Sequence, residues 1–207
     1  MAGERYEDVA GAILAGGESR RMGFNKAFLE FEGRTLVERV AERLSSLFTS
    51  VLVVANEVEP YRYLGVPVYP DARPGCGSLG GIYTALLHSG RPYCFVAACD
   101  MPFLREEAIR HLVDLREGYD VVVPLVEDYP QTLHALYGDA CREPIGRMLE
   151  AGEFKVLGFF PQVRVCQVPE GEMRRFDPDL RMFMNLNTPE DLERARRGEA
   201  FRGKRAP

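Results

Sequence analysis

The strongest constraint on this chain is an alternation. Seven short apolar runs, at residues 9–15, 51–55, 66–69, 93–98, 120–126, 132–137 and 163–168, are separated in four of their six intervals by stretches with helical spacing. The first run ends in Gly16-Gly17 and is too short for a helix, so it is predicted to be a buried strand. From Thr35 the period changes: Leu36, Val37, Val40, Leu44 and Leu47 recur at three- and four-residue intervals, and Thr35 with Glu38 stands at capping-box spacing. Helices are expected over residues 81–87, 106–116 and 144–151, and a last one from Pro189 to about residue 197, capped by Thr188. Strands alternating with helices need crossovers, and right-handed crossovers deposit helices on both faces of a mostly parallel sheet. The expected class is therefore α/β, in three layers, with ligands bound beyond the carboxyl ends of the strands.

At 207 residues the chain can bury one sizeable core. A single domain over residues 1–200 is expected, with 201–207 as a flexible tail. The net charge of -5 argues against nucleic acid as a partner, since backbone binding relies on clustered Lys and Arg. The conspicuous basic stretch, Arg194, Arg196, Arg197, Arg202, Lys204 and Arg205, reads as a frayed, solvated tail. Five cysteines, odd in number and without a C-x-x-C pair, read as reduced thiols rather than a zinc site. The N-terminus has no apolar signal core and no apolar run reaches membrane-spanning length, so no membrane association and a cytoplasmic location are expected.

The polar motifs fall just after the predicted strands. Behind the first comes Leu14-Ala15-Gly16-Gly17-Glu18-Ser19-Arg20-Arg21-Met22-Gly23-Phe24-Asn25-Lys26. Glycines allow backbone N–H groups to approach a ligand, and Arg20, Arg21 and Lys26 bring charge suited to a polyphosphate. A plain glycine turn would account for Gly16 and Gly17 but not for the basic residues after them. A Walker loop and a dinucleotide fingerprint both fail on spacing. The segment from Asp71 through Gly75, Gly77, Gly80 and Gly81 again packs glycines before a helix. It is either an ordinary loop or a helix N-terminus facing a sugar or phosphate, with Asp71 accepting hydrogen bonds from a base or ribose.

Asp100 lies just past the 93–98 strand, too early to cap the following helix, and a single carboxylate is an adequate protein anchor for Mg2+. Asn185 and Asn187 either serve a turn or read a polar heterocycle with their paired donors and acceptors. His134 is expected in a strand with its ring satisfied, not as a general base.

Together, Leu14-Ala15-Gly16-Gly17 through Arg21-Met22-Gly23 and Lys26, Asp71 with Pro74-Gly75, Cys99-Asp100-Met101-Pro102-Phe103-Leu104, Gln131-Thr132-Leu133-His134-Ala135 and Asn185-Leu186-Asn187-Thr188-Pro189-Glu190-Asp191-Leu192 resemble the molybdenum cofactor guanylyltransferases, which make molybdopterin guanine dinucleotide. The resemblance spans nearly the whole chain and implies a Rossmann-like nucleotidyltransferase fold. It implies that Leu14, Ala15 and Gly16, with Gly17 beside them, contact GTP through backbone, that Lys26 holds phosphates, and that Asn56 and Asp71 sit by the guanosine. Asp100 would bind Mg2+, and Asn185 and Asn187 would belong to the pterin side. Its implied partners are GTP and molybdopterin or molybdenum cofactor, with room for cofactor-biosynthesis proteins or molybdoenzyme chaperones. Two positions depart from the family pattern: Asn25 stands where many relatives carry Asp, which is expected to loosen Lys26, and Ser78 replaces a frequent proline, a change of loop stiffness.

The expected reaction is in-line attack by the terminal phosphate of molybdopterin on the α-phosphorus of GTP, with pyrophosphate leaving and no covalent enzyme intermediate. Arg20, Arg21, Lys26 and Asp100 are the expected catalytic residues, screening charge and holding two anions in line. The rivals are a cytidylyltransferase or sugar-phosphate nucleotidyltransferase on the same fold, and a noncatalytic nucleotide-binding or cofactor-delivery protein, which would need no metal carboxylate.

Overall fold

The fold is known from a computed structural model, which describes residues 4–16 and 25–201. The first strand β1 (Tyr6–Leu14) leads, beyond a small hairpin of β2 (Glu30–Phe31) and β3 (Arg34–Thr35), into helix α1 (Leu36–Leu47). Next come β4 (Phe48–Val54), β5 (Val68–Tyr69), α2 (Gly77–Ser89), β6 (Tyr93–Ala98) and α3 (Glu106–Asp114). The second half holds β7 (Val121–Val126), β8 (Tyr129–Pro130), β9 (His134–Gly138), α4 (Arg142–Glu150), β10 (Val165–Val168), the short α5 (Glu170–Met173) and α6 (Pro189–Arg196).

The main sheet runs in the order β10-β7-β9-β6-β1-β4-β5, with β8 attached to β7. β1 is parallel to both of its neighbours, β4 and β6, and β5 and β10 also pair in parallel. From β1 the chain crosses through α1 to β4 on one side, then returns through α2 to β6 on the other. The strand order therefore reverses between β1 and β6, and α/β sheets open a crevice at such a switch point.

The period-two pleat of β1 explains the three layers. Val9 and Ile13 face one core, with Val40 and Leu44 of α1 and Ile109 and Leu112 of α3. Ala10, Ala12 and Leu14 face the other, with Leu79 and Ile82 of α2 and Ile145 and Met148 of α4. Helices thus cover both faces, as the alternation predicts. The α1 start is a capping box: Thr35 Oγ1 accepts from the Glu38 N–H at 3.3 Å, while Glu38 accepts from the Thr35 N–H at 2.7 Å.

Two strands of the main sheet depart from the parallel pattern, β9 and the short β8, which is antiparallel to β7. β9 is antiparallel to both β6 and β7. Residues 127–133 are all that connect it to β7, whereas a parallel return needs a crossover of a dozen residues or more. The C-terminal basic stretch also differs from expectation in its described part. Arg194, Arg196 and Arg197 belong to or adjoin α6 and pair with Glu199, Glu193 and Glu199 respectively, which is an ion-paired helix end and no frayed tail. Arg202, Lys204 and Arg205 lie outside the described residues.

Candidate nucleotide site

The carboxyl ends of β1, β4 and β6 open into a cleft of about 440 Å³, lined by Leu14, Ala15, Gly16, Lys26, Asn56 and Asp71, with Asp100 and Asn185 completing it. Backbone bonds fix its floor: Ala15 N–H donates to Val54 at 2.9 Å, and Cys99 N–H donates to Leu14 at 3.1 Å. The two residues expected to meet over a triphosphate, Lys26 and Asp100, thus line one cavity. Gly17, Arg20 and Arg21, also expected at this site, lie outside the described residues.

Lys26 opens a single turn of 3-10 helix whose cap is Asn25. Asn25 Oδ1 accepts from the Ala27 N–H at 3.1 Å, and its Nδ2 donates to the Tyr61 hydroxyl at 2.8 Å. The Asn25 amide thus caps the turn and donates to Tyr61 at once. From there the Lys26 ammonium donates to Asn187 Oδ1 at 2.7 Å. Leu186 N–H donates to the Asp100 carbonyl at 2.9 Å, so the 185–187 segment runs beside Asp100. Asp191 holds the end of that segment by accepting from the N–H groups of Asn187 and Thr188, each at 3.0 Å, and it closes the capping box of α6.

Asp71 faces the cleft from beyond β5. Its Oδ1 accepts from the Arg73 N–H and from the buried Thr84 hydroxyl, both at 3.0 Å, which leaves Oδ2 outside those bonds. Thr84 lies on α2, whose first turn carries no acid and no side-chain cap. Its open N–H groups and the positive end of its dipole suit electron-rich ligand atoms, and Gly77 and Ser78 of that turn line the cleft. Two glycines of α2 permit the approach. A Cβ on Gly81 would meet Leu14 Cδ1 at 3.0 Å, and one on Gly80 would meet the Arg73 carbonyl at 3.0 Å and Asp71 Oδ1 at 3.3 Å.

A second cavity of about 370 Å³ adjoins the first, sharing Leu133 and Asn185 with it. Gln131, Thr132, Tyr129, Asn187 and Arg194 line it further out. Asn185 therefore stands between the two cavities, and Asn187 reaches from the second to the lysine of the first. A single carboxylate with neutral amides nearby is a donor set for a hard cation that keeps phosphate and water ligands. Among the described residues no group of three or more His, Cys, Asp or Glu could hold a metal.

His134 is in β9 as expected, but the expectation of a satisfied ring is corrected. The side chain is fully buried, both ring nitrogens have no hydrogen-bond partner among the described residues, and the ring stands edge-on to Phe95 and Phe183 at 5.3 and 4.9 Å. Desolvation pushes its pKa down from 6.5 to about 3, so it is a neutral imidazole packed as an aromatic. All five cysteines are free thiols; burial raises the Cys94 pKa to about 12, and desolvation, then the Asp100 charge, holds Cys99 above its ordinary range. Sequence reasoning did not find Tyr61 or Thr84, which sit behind the cleft. A tyrosine in a loop carries no pattern, and the one trace of Thr84 is a hydroxyl among the apolar Ile82, Ala85 and Leu86. No helix among the described residues is long and apolar enough to cross a membrane.

The family model described as a MobA-like NTP transferase domain matches residues 11–164. A probable molybdenum cofactor guanylyltransferase of Pelotomaculum thermopropionicum is 42% identical over 188 residues, covering 91% of this chain and 92% of the relative. A molybdenum cofactor guanylyltransferase of Desulfosudis oleivorans is 40% identical over 191 residues, covering 90% and 94%. Among solved structures, molybdopterin-guanine dinucleotide biosynthesis protein A from Archaeoglobus fulgidus superimposes with a TM-score of 0.78 at 34% identity, covering 90% of this chain and 96% of that one.

Proposed function

Because the chain belongs to the MobA-like NTP transferase family, we infer that it transfers GMP from GTP to the terminal phosphate of molybdopterin, forming the guanine dinucleotide cofactor and pyrophosphate. The observation that carries this reading is the meeting of Lys26, Asp71 and Asp100 in one cleft at the switch point of the sheet, with Asn185 joining it to a second cavity. Two cavities sharing a wall suit a reaction between two anions.

In the step, a phosphate oxygen of the acceptor attacks the α-phosphorus of GTP. A new P–O bond forms, the bond from the α-phosphorus to the bridging oxygen breaks, and pyrophosphate leaves with the electron pair. The nucleophile is already an anion, so no protein base is required. Lys26, held by Asn187, supplies positive charge where phosphate charge develops. The backbone of Leu14 and Ala15 and the carboxylate of Asp71 orient the nucleoside, while Asn185 and Asn187 orient the acceptor phosphate. Asp100 would hold a divalent cation, for which Mg2+ fits the donor set, and that ion would screen the repulsion between the two substrates.

The test is pyrophosphate release in the presence of molybdopterin, Mg2+ and each of the four nucleoside triphosphates in turn. Release with GTP well above the other three is expected. Equal or greater release with CTP would reassign the donor, and GTP binding without turnover would make the chain a carrier instead of an enzyme.

A further inference from the structure

Outside the motifs that carry the reading above, one buried side chain touches both ends of the glycine-rich segment. Tyr61 comes from the 3-10 helix Glu59–Leu64 that follows β4, and it is 1% exposed. Its hydroxyl accepts from Asn25 Nδ2 at 2.8 Å and donates to the Ala15 carbonyl at 3.3 Å. Its ring packs against Phe28 with centroids 5.0 Å apart, gripping the far side of the turn that begins at Lys26. The directions are fixed by hydrogen counting: Asn25 Oδ1 is occupied by the Ala27 N–H, so its Nδ2 must face Tyr61, and the single Tyr61 hydrogen is then left for Ala15.

We propose that Tyr61 and Asn25 form a clasp that fixes the spacing between the two ends of the glycine-rich segment, and so sets the Ala15 backbone and Lys26 in position for the triphosphate. Tyr61 is a positioning residue here; it does not line the cleft. The proposal rests on the guanylyltransferase reading for its consequence, and on geometry alone for the clasp. Loss of the pre-set spacing weakens the Ala15 contact in ground and transition states alike, which raises KM, and displaces Lys26 from the charge that develops in the transition state, which lowers kcat.

The experiment compares wild type, Tyr61→Phe, Asn25→Ser and the double variant. Phenylalanine keeps the packing on Phe28, and serine keeps a short acceptor for the Ala27 N–H while giving up the reach to Tyr61. Each single variant is expected to lower kcat/KM for MgGTP roughly 5- to 20-fold, through a higher KM and a lower kcat together, with the KM for molybdopterin within about twofold of wild type. The double variant is expected to be no worse than the worse single one, as coupled partners require. Amide exchange measured by NMR without nucleotide is expected to quicken at Ala15 and Ala27 and to stay unchanged at Ala55, whose N–H bonds to Tyr69 instead. An unchanged kcat/KM for MgGTP in Tyr61→Phe, additive effects in the double variant, or a rise in both substrate KM values together with faster exchange at Ala55 would each overturn the clasp. Failure of wild type to turn over GTP would sink the functional reading alone, because the exchange measurement still decides whether the clasp exists.

Discussion

At Lys26, charge and position come from different parts of the chain. The ammonium is aimed by Asn187, 161 residues away in sequence, and the turn beneath it is capped by Asn25. Removing the charge with Lys26→Ala is expected to cost about 2 to 4 kcal/mol of transition-state stabilisation, the scale of one electrostatic donor, read as a 30- to 1000-fold fall in kcat/KM. Asp100→Asn keeps the side-chain volume and is expected to abolish divalent-cation-dependent turnover while circular dichroism stays that of the wild type. Persistence of that turnover would remove Asp100 from the metal role.

His134 makes its own prediction. A neutral ring with a pKa near 3 in the folded protein and 6.5 in the unfolded chain means that the unfolded state binds one more proton between those values. The stabilising contribution is whole above pH 6.5 and is lost as pH falls toward 3, at about 1.4 kcal/mol per pH unit. Denaturant titrations at pH 7, 6, 5 and 4 are expected to show that slope in wild type and to lose one proton's share of it in His134→Phe. The sequence placed this residue in its strand, but whether a buried ring finds a partner depends on side chains from β6 and the 181–183 turn.

At the scale of elements, hydroxyl-acid spacing and apolar period were legible and strand direction was not. Thr35 with Glu38 and Thr188 with Asp191 both form capping boxes, since these contacts are local and the spacing determines them. Thr35→Ala is expected to cost about 1 kcal/mol in chemical denaturation, with activity retained. The orientation of β9 could not be read from its apolar run, because antiparallel pairing follows from the short connection to β7 and from which neighbour remains available. Helix α2 was read only in part: Gly77 and Gly80 look like loop residues, yet both lie inside the helix, and at Gly80 and Gly81 neighbouring atoms leave no room for a side chain. Gly80→Ala removes a helix-weakening glycine, worth about 1 kcal/mol in an open site. Here the methyl would meet the Arg73 backbone, so a weaker affinity for MgGTP by calorimetry is expected without a gain in melting temperature.

For the whole molecule, strand-helix alternation pointed to the carboxyl ends of a parallel sheet, and the motifs at Gly16, Asp71 and Asp100 do follow strands, whereas the 185–187 segment follows the 3-10 turn Arg181–Phe183. What the sequence could not supply was the order of the strands. β6 returning to the far side of β1 is what brings Asp100 opposite Lys26, and the 185–187 segment joins them only because it pairs with the Asp100 carbonyl. The shared wall of Leu133 and Asn185 likewise depends on β9 lying beside β6.

The most direct measurement is a crystal structure with a non-hydrolysable GTP analogue and Mn2+, whose anomalous signal locates the cation without interpretation of the density. The account expects the triphosphate along the β1–β6 crevice within hydrogen-bonding reach of the Lys26 ammonium, and an anomalous peak at the Asp100 carboxylate. A triphosphate bound elsewhere, or a cation that ignores Asp100, would contradict it.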